Sequence, residues 1–214
     1  MTSAANEQVF SPASAKLCHK KCRVGVLISG GGSNMKALVA ASQLADAPFE
    51  IACVVSNKVD AGGIVWANEN GIATKVINHK DYASREAFDT ALNDYLQTQR
   101  LDLIACAGFM RIMTPILISP WEGRMLNIHP SLLPLYKGLH THARAIAAGD
   151  KEAGCSVHRV TAELDGGPVI AQAKVSILKD DTPETLAARV VVEEHKLYPA
   201  TLTTFAKGLI DDNA

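Results

Sequence analysis

Between residues 23 and 105 the chain alternates short β-branched runs with stretches of helical periodicity, and this alternation limits the fold more than any other feature. Residues 23–28 (RVGVLI), 51–55, 73–77 and 101–105 are apolar runs of strand length. Between them lie residues 35–44, 61–70 and 84–97, where apolar side chains recur at helical spacing. In the last of these Phe88, Leu92, Tyr95 and Leu96 share one face. Such repetition predicts an α/β fold with a doubly wound, mostly parallel sheet.

The second half changes character. Residues 126–129 form another strand-like run, and residues 131–141 a loop punctuated by proline and glycine. Residues 155–160 and 168–177 read as two further strands separated by Gly166-Gly167, which predicts antiparallel pairing in the C-terminal half. Residues 183–207 read as one closing helix, capped by Thr182, with Pro183 in its first turn and a break at Pro199. Residues 1–22, rich in Ala and Ser, are expected to be a flexible tail, and residues 23–214 a single domain.

Bulk properties exclude several function classes. A net charge of −1 lacks the basic excess of a dedicated nucleic-acid binder. No apolar run is long enough to span a bilayer, and no secretory signal opens the chain. A cytoplasmic protein without nucleic-acid or membrane partners is expected. Five cysteines make an odd, irregularly spaced set, and Cys53, Cys106 and Cys155 sit in apolar runs, which suits reduced thiols. Cys18-His19-Lys20-Lys21-Cys22 has no second ligand pair at zinc-site spacing, so no metal is expected.

Two segments carry chemistry. Asn127-Ile128-His129-Pro130 ends a strand. Strand side chains alternate, so Asn127 and His129 share a face, and Pro130 takes the chain out of the sheet. An amide and an imidazole at a strand end can stabilise an oxyanion and move a proton; the alternative is a satisfied core histidine and a turn asparagine. Ser29-Gly30-Gly31-Gly32-Ser33-Asn34 joins a strand to a helix, a plausible cradle for an anion. It lacks the Lys-Ser/Thr of a nucleotide P-loop, and Met35 replaces the third glycine of the dinucleotide fingerprint. Nicotinamide, flavin and ATP are disfavoured; a single phosphate or a ligand-free tight turn remains. Asp165, before Gly166-Gly167, is either a turn residue or a carboxylate partner for His129.

Five motifs occur in order: ISGGGSN (28–34), AGFMRI (107–112), NIHPSLLP (127–134), GLHTH (138–142) and ELDGGPVI (163–170). Together they resemble the folate-dependent phosphoribosylglycinamide formyltransferases over residues 23 to 207. The resemblance implies a Rossmann-like formyltransferase fold. It implies transfer of a formyl group from 10-formyltetrahydrofolate, a cosubstrate, to the amine of 5-phosphoribosylglycinamide in purine biosynthesis. The expected route is direct acyl transfer through a tetrahedral oxyanion, with small molecules as partners and a monomer or homodimer as the assembly.

The same resemblance assigns roles. Asn127, His129 and Asp165 fall on the catalytic triad. Gly32, Ser33 and Asn34 fall on the loop for the substrate phosphate, and Glu194 on a glycinamide contact. Arg85, Met110, Arg111, Ile112, Met113 and Asn127 fall on formyl-folate contacts. Phe109, Met110, Ile112 and Leu139 could form a slot for the pterin, with ordinary core packing as the alternative and core packing the favoured role for Phe109. Gly31 stands where some relatives carry a larger residue. Methionyl-tRNA formyltransferase would be expected to carry a further C-terminal domain, and formyltetrahydrofolate hydrolase an N-terminal one. A non-catalytic phosphometabolite sensor would need no acid–base set.

Overall fold

The computed structural model describes residues 21–211. The expected tail lies almost wholly outside the described residues, and so does Cys18 of the cysteine–histidine fragment. Strand β1 (Cys22–Ile28) starts one residue before the apolar run, because the Cys22 N–H donates to Pro48 O at 2.8 Å.

The order along the chain is β1, α1 (Ser33–Ser42), β2 (Phe49–Ser56), α2 (Gly62–Glu69), β3 (Thr74–Val76), α3 (Arg85–Thr98) and β4 (Leu103–Cys106). Then come α4 (Pro115–Ile118), β5 (Met125–His129), α5 (Thr141–Ala147), β6 (Glu152–Arg159), β7 (Val169–Ser176) and α6 (Pro183–Asp211). Seven strands make one sheet in the order β3-β2-β1-β4-β5-β6-β7. The pairs from β3 to β5 are parallel, and β5–β6 and β6–β7 are antiparallel, as the sequence pattern predicts. Short helices α4 and α5 were not foreseen: one begins inside the proline-rich stretch, the other ends the 131–141 loop.

Both faces of the sheet are covered. Val24, Val26 and Ile28 pack against Leu38 of α1, Ala67 of α2 and Val190 and Leu202 of α6. Leu27, Cys53, Val55 and Ile104 meet Phe88, Leu92 and Leu96 of α3, with Leu117 and Trp121. Ser84 caps α3 by accepting the Ala87 N–H at 3.1 Å, and Thr182 caps α6 through the Thr185 N–H at 3.3 Å.

Pro199 does not break α6, contrary to expectation. A proline removes one hydrogen bond and strains one turn. Here Val190 and Glu194 are buried before it and Leu202 and Ala206 after it, so packing holds both halves to the sheet. The Tyr198 hydroxyl, beside the proline, donates toward Cys106 O (3.2 Å) and Leu126 O (3.1 Å).

Strand order reverses between β1 and β4. In open parallel sheets that reversal opens a crevice beyond the carboxyl ends of the strands. The glycine loop leaves β1 at this edge, the AGFMRI segment leaves β4 there, and β5 ends there at His129.

Candidate active site

The glycine loop enters α1 through Gly32, whose φ of 70° is left-handed. A side chain there would be strained, and its Cβ would lie 2.7 Å from Met35 Cε. Gly31 is different: a Cβ would meet nothing within 4 Å, so a larger residue fits this position without rearrangement. Gly30, Gly31 and Ser33 are exposed at the start of the helix, where free N–H groups and the dipole favour an anion.

Asn34 is buried, and its Nδ2 donates to Glu194 Oε2 at 2.7 Å. This bond ties the start of α1 to the middle of α6, bringing two expected glycinamide contacts together. Burial pushes the Glu194 carboxyl up, against the opposing pull of Asn34 and the charges of His195 and His129.

At the end of β5, His129 is 5% exposed. Its Nδ1 lies 3.3 Å from Asp165 Oδ2, and its Nε2 faces Tyr136 O at 3.0 Å. Both ring nitrogens therefore face oxygen acceptors, a pattern that a doubly protonated ring satisfies. Asp165 Oδ2 also accepts the Gly138 N–H at 2.9 Å. Burial pushes the Asp165 carboxyl up. Hydrogen bonds from His158 and Gly138, with the charges of His129 and His158, outweigh burial and hold it below its ordinary value.

His158 is the residue that sequence reasoning missed. It is 2% exposed and pairs across the antiparallel ladder with Asn127. Its Nε2 lies 3.1 Å from Asn127 Nδ2 and 3.6 Å from Asp165 Oδ1, and its Nδ1 faces Arg159 O at 2.9 Å. The signal was available: residues 155–160 read as a strand, and antiparallel pairing with 126–129 places a histidine beside Asn127. The cluster thus has four members, Asn127, His129, His158 and Asp165.

The expected folate contacts form the other wall. Met110 (65% exposed) and Ile112 (56%) face solvent, with Leu139 (68%) exposed near the cluster's loops. Phe109 packs into the core against α3, the role favoured for it from the sequence, and not into the slot. Arg111 stacks over the Phe88 ring at 5.2 Å, and Arg85 is exposed at the first turn of α3. The backbone groups of Arg111, Ile112 and Met113 make no hydrogen bond with the described residues.

Burial pushes the thiols of Cys106 and Cys155 up to about 12 and that of Cys53 to about 11, which leaves them inert as nucleophiles. Among the described residues no helix is long and apolar enough to cross a membrane.

The fold and this site define a class: doubly wound α/β proteins with a ligand crevice at the strand reversal and an acid–base cluster on its wall. The Formyl transferase family matches residues 22–202, and the chain belongs to that family. It is 48% identical over 183 residues to the phosphoribosylglycinamide formyltransferase of Escherichia coli, covering 86% of each chain. It is 44% identical over 191 residues to the trifunctional purine biosynthetic protein adenosine-3 of Bos taurus, but spans only 19% of that longer protein. The solved phosphoribosylglycinamide formyltransferase of Brucella melitensis superposes with a TM-score of 0.84 at 54% identity, covering 87% of this chain and 96% of that one.

Proposed function

We propose that this chain transfers the formyl group of 10-formyltetrahydrofolate to the amine of 5-phosphoribosylglycinamide. The observation that carries this reading is the cluster of Asn127, Asp165 and the buried His129 and His158 at the strand-reversal crevice of a Formyl transferase family member.

The chemistry is acyl transfer between two nitrogens. A neutral amine attacks the formyl carbon, the carbonyl oxygen becomes an oxyanion, and folate N10 departs with a proton. The protein must hold two large substrates together and aim donors at the oxyanion. His129 supplies one such donor. Its Nε2, now on the Tyr136 carbonyl, exchanges that oxygen for the oxyanion, while Asp165 stabilises the charged ring from Nδ1. Asn127 supplies the second donor, held in place by His158. No side chain forms a covalent intermediate.

The substrates divide the crevice between them. Gly32, Ser33 and Asn34 at the start of α1 take the phosphate of the glycinamide, and Glu194 contacts the rest of that substrate. The unpaired backbone of residues 111–113 offers both donors and acceptors to the edge of a pterin, with Met110 and Ile112 against its faces. The Arg85 guanidinium suits the anionic end of a folate.

The test is an assay of the purified protein with 10-formyltetrahydrofolate, with and without glycinamide ribonucleotide, following the deformylated folate. Product only when the amine is present supports the transferase. Equal product without the amine identifies a hydrolase, and no product with both overturns the reading.

A further inference from the structure

Residues 110–114 cross the mouth of the crevice outside any helix or strand, yet their two ends are fixed by buried side chains that belong to other elements. At the near end, Ser29 follows β1 and is 5% exposed. Its Oγ accepts the Met110 N–H at 2.7 Å and donates to Asn57 Oδ1 at 2.5 Å, and its own N–H donates to Gly108 O at 3.0 Å. Asn57 is 1% exposed and its Nδ2 lies 3.2 Å from His79 Nδ1, so the hydroxyl is itself held in one orientation.

At the far end stands Asp89, on α3 one turn beyond Arg85. It is 0% exposed, and its Oδ2 accepts the Thr114 N–H at 2.6 Å. The other oxygen, Oδ1, has no hydrogen-bond partner, and neither do the nearby buried Arg111 Nε and Thr114 Oγ1. Burial pushes the Asp89 carboxyl up, against the opposing pull of Thr114 hydrogen bonding and the charge of Arg111. Through this one bond the Asp89 side chain fixes Thr114 to the helix that carries Arg85. Between the two anchors, Arg111, Ile112 and Met113 keep their backbone groups free.

We propose that Ser29 and Asp89 are positioning residues that hold residues 110–114 as a preformed edge for the folate, without touching either substrate. This rests on the reading of Met110, Arg111, Ile112 and Met113 as folate contacts. Losing an anchor lets the edge wander, and the ligand must then order it on binding. The glycinamide side of the crevice has separate supports in the Asn34–Glu194 bond and the start of α1, so it is affected less.

The experiment measures equilibrium binding of tetrahydrofolate, with air excluded, and separately of glycinamide ribonucleotide. The proteins are the parent, Asp89→Ala, Asp89→Asn, Ser29→Ala and Ile112→Asp. Asp89→Ala is expected to weaken tetrahydrofolate binding about 10- to 100-fold, and glycinamide ribonucleotide by no more than about twofold. Asp89→Asn keeps an acceptor for the Thr114 N–H and should recover most of the loss, as a purely charge-based role would not. Ser29→Ala should weaken tetrahydrofolate more than the glycinamide, and it carries the test if Asp89→Ala does not fold.

Equal weakening of both ligands would mark the anchors as general structural supports and overturn the proposal. Loss of binding in Ile112→Asp with none in Asp89→Ala and Ser29→Ala would also overturn it, while leaving the folate wall in place. Unchanged tetrahydrofolate binding in Ile112→Asp would instead remove the reading on which the proposal stands.

Discussion

Asp165 Oδ2 stands 3.3 Å from His129 Nδ1, inside a shell where neither group has more than a tenth of its side chain exposed. At that separation and burial the two groups act as one unit, because each fixes the charge and orientation of the other. A double-mutant cycle tests this. His129→Asn and Asp165→Asn should each lower kcat by about 10²- to 10⁴-fold. The double variant should be no slower than the slower single variant by more than about tenfold, because groups that work together are lost together. Losses that multiply would separate the two residues.

The same carboxylate makes a prediction about acid. Asp165 is held below the ordinary carboxylate value of 3.8, so the unfolded chain binds its proton more readily than the folded one. Its contribution to stability is therefore fully present above the unfolded value and lost as pH falls through the lower, folded one. The difference in Tm between the parent and Asp165→Asn should shrink as pH falls below about 4. A difference that grows on acidification would reverse the sign and contradict the contacts described.

Ser33 is exposed at the first turn of α1 and has no side-chain hydrogen bond within the described residues. A hydroxyl so placed has little to do in the folded protein alone. Ser33→Ala should leave Tm unchanged within about 1 °C and raise KM for the glycinamide about 10- to 100-fold, the range of one hydrogen bond to a charged group. KM for the formyl folate should not follow. Steady-state kinetics with each substrate varied in turn decides it; equal changes in both constants would count against a phosphate role.

Much of this architecture could be read from the chain. The β-branched runs and helical spacing give the parallel half, and Gly166-Gly167 points to the antiparallel pair, although the β6–β7 connection spans residues 160–168 and is not a tight turn. Alternation in β5 put Asn127 and His129 on one face without any need of coordinates. What stayed hidden depends on contacts between distant segments. Asp165 could be a turn residue or a partner for His129 until the β6–β7 connection was seen folding back over β5. His158 was missed because a histidine inside an apolar strand gains meaning only once its cross-strand neighbour is known. Pro199 misled for a similar reason: a local rule predicts a break, and burial on both sides of the proline overrides it.

Glu194 gives the last prediction. It is 5% exposed, hydrogen-bonded to Asn34, and its carboxyl is pushed up mainly by burial. For an acid whose folded value lies above the unfolded one, the folded state binds the proton more tightly. Stability then falls as pH rises from the unfolded value near 4.5 through the folded one. Glutamine keeps an oxygen for the Asn34 amide and removes the charge. Glu194→Gln should therefore raise Tm at pH 7 by about 2–4 °C, the shift expected for about 1 kcal/mol in a chain of this size. Its advantage should vanish near pH 4, where the parent's side chain is neutral. The same variant should lose turnover with glycinamide ribonucleotide, as the proposed glycinamide contact of Glu194 requires. Thermal melts across pH 4–8, paired with kinetics, check both halves. A variant less stable than the parent at pH 7 would show that the carboxylate serves the fold itself.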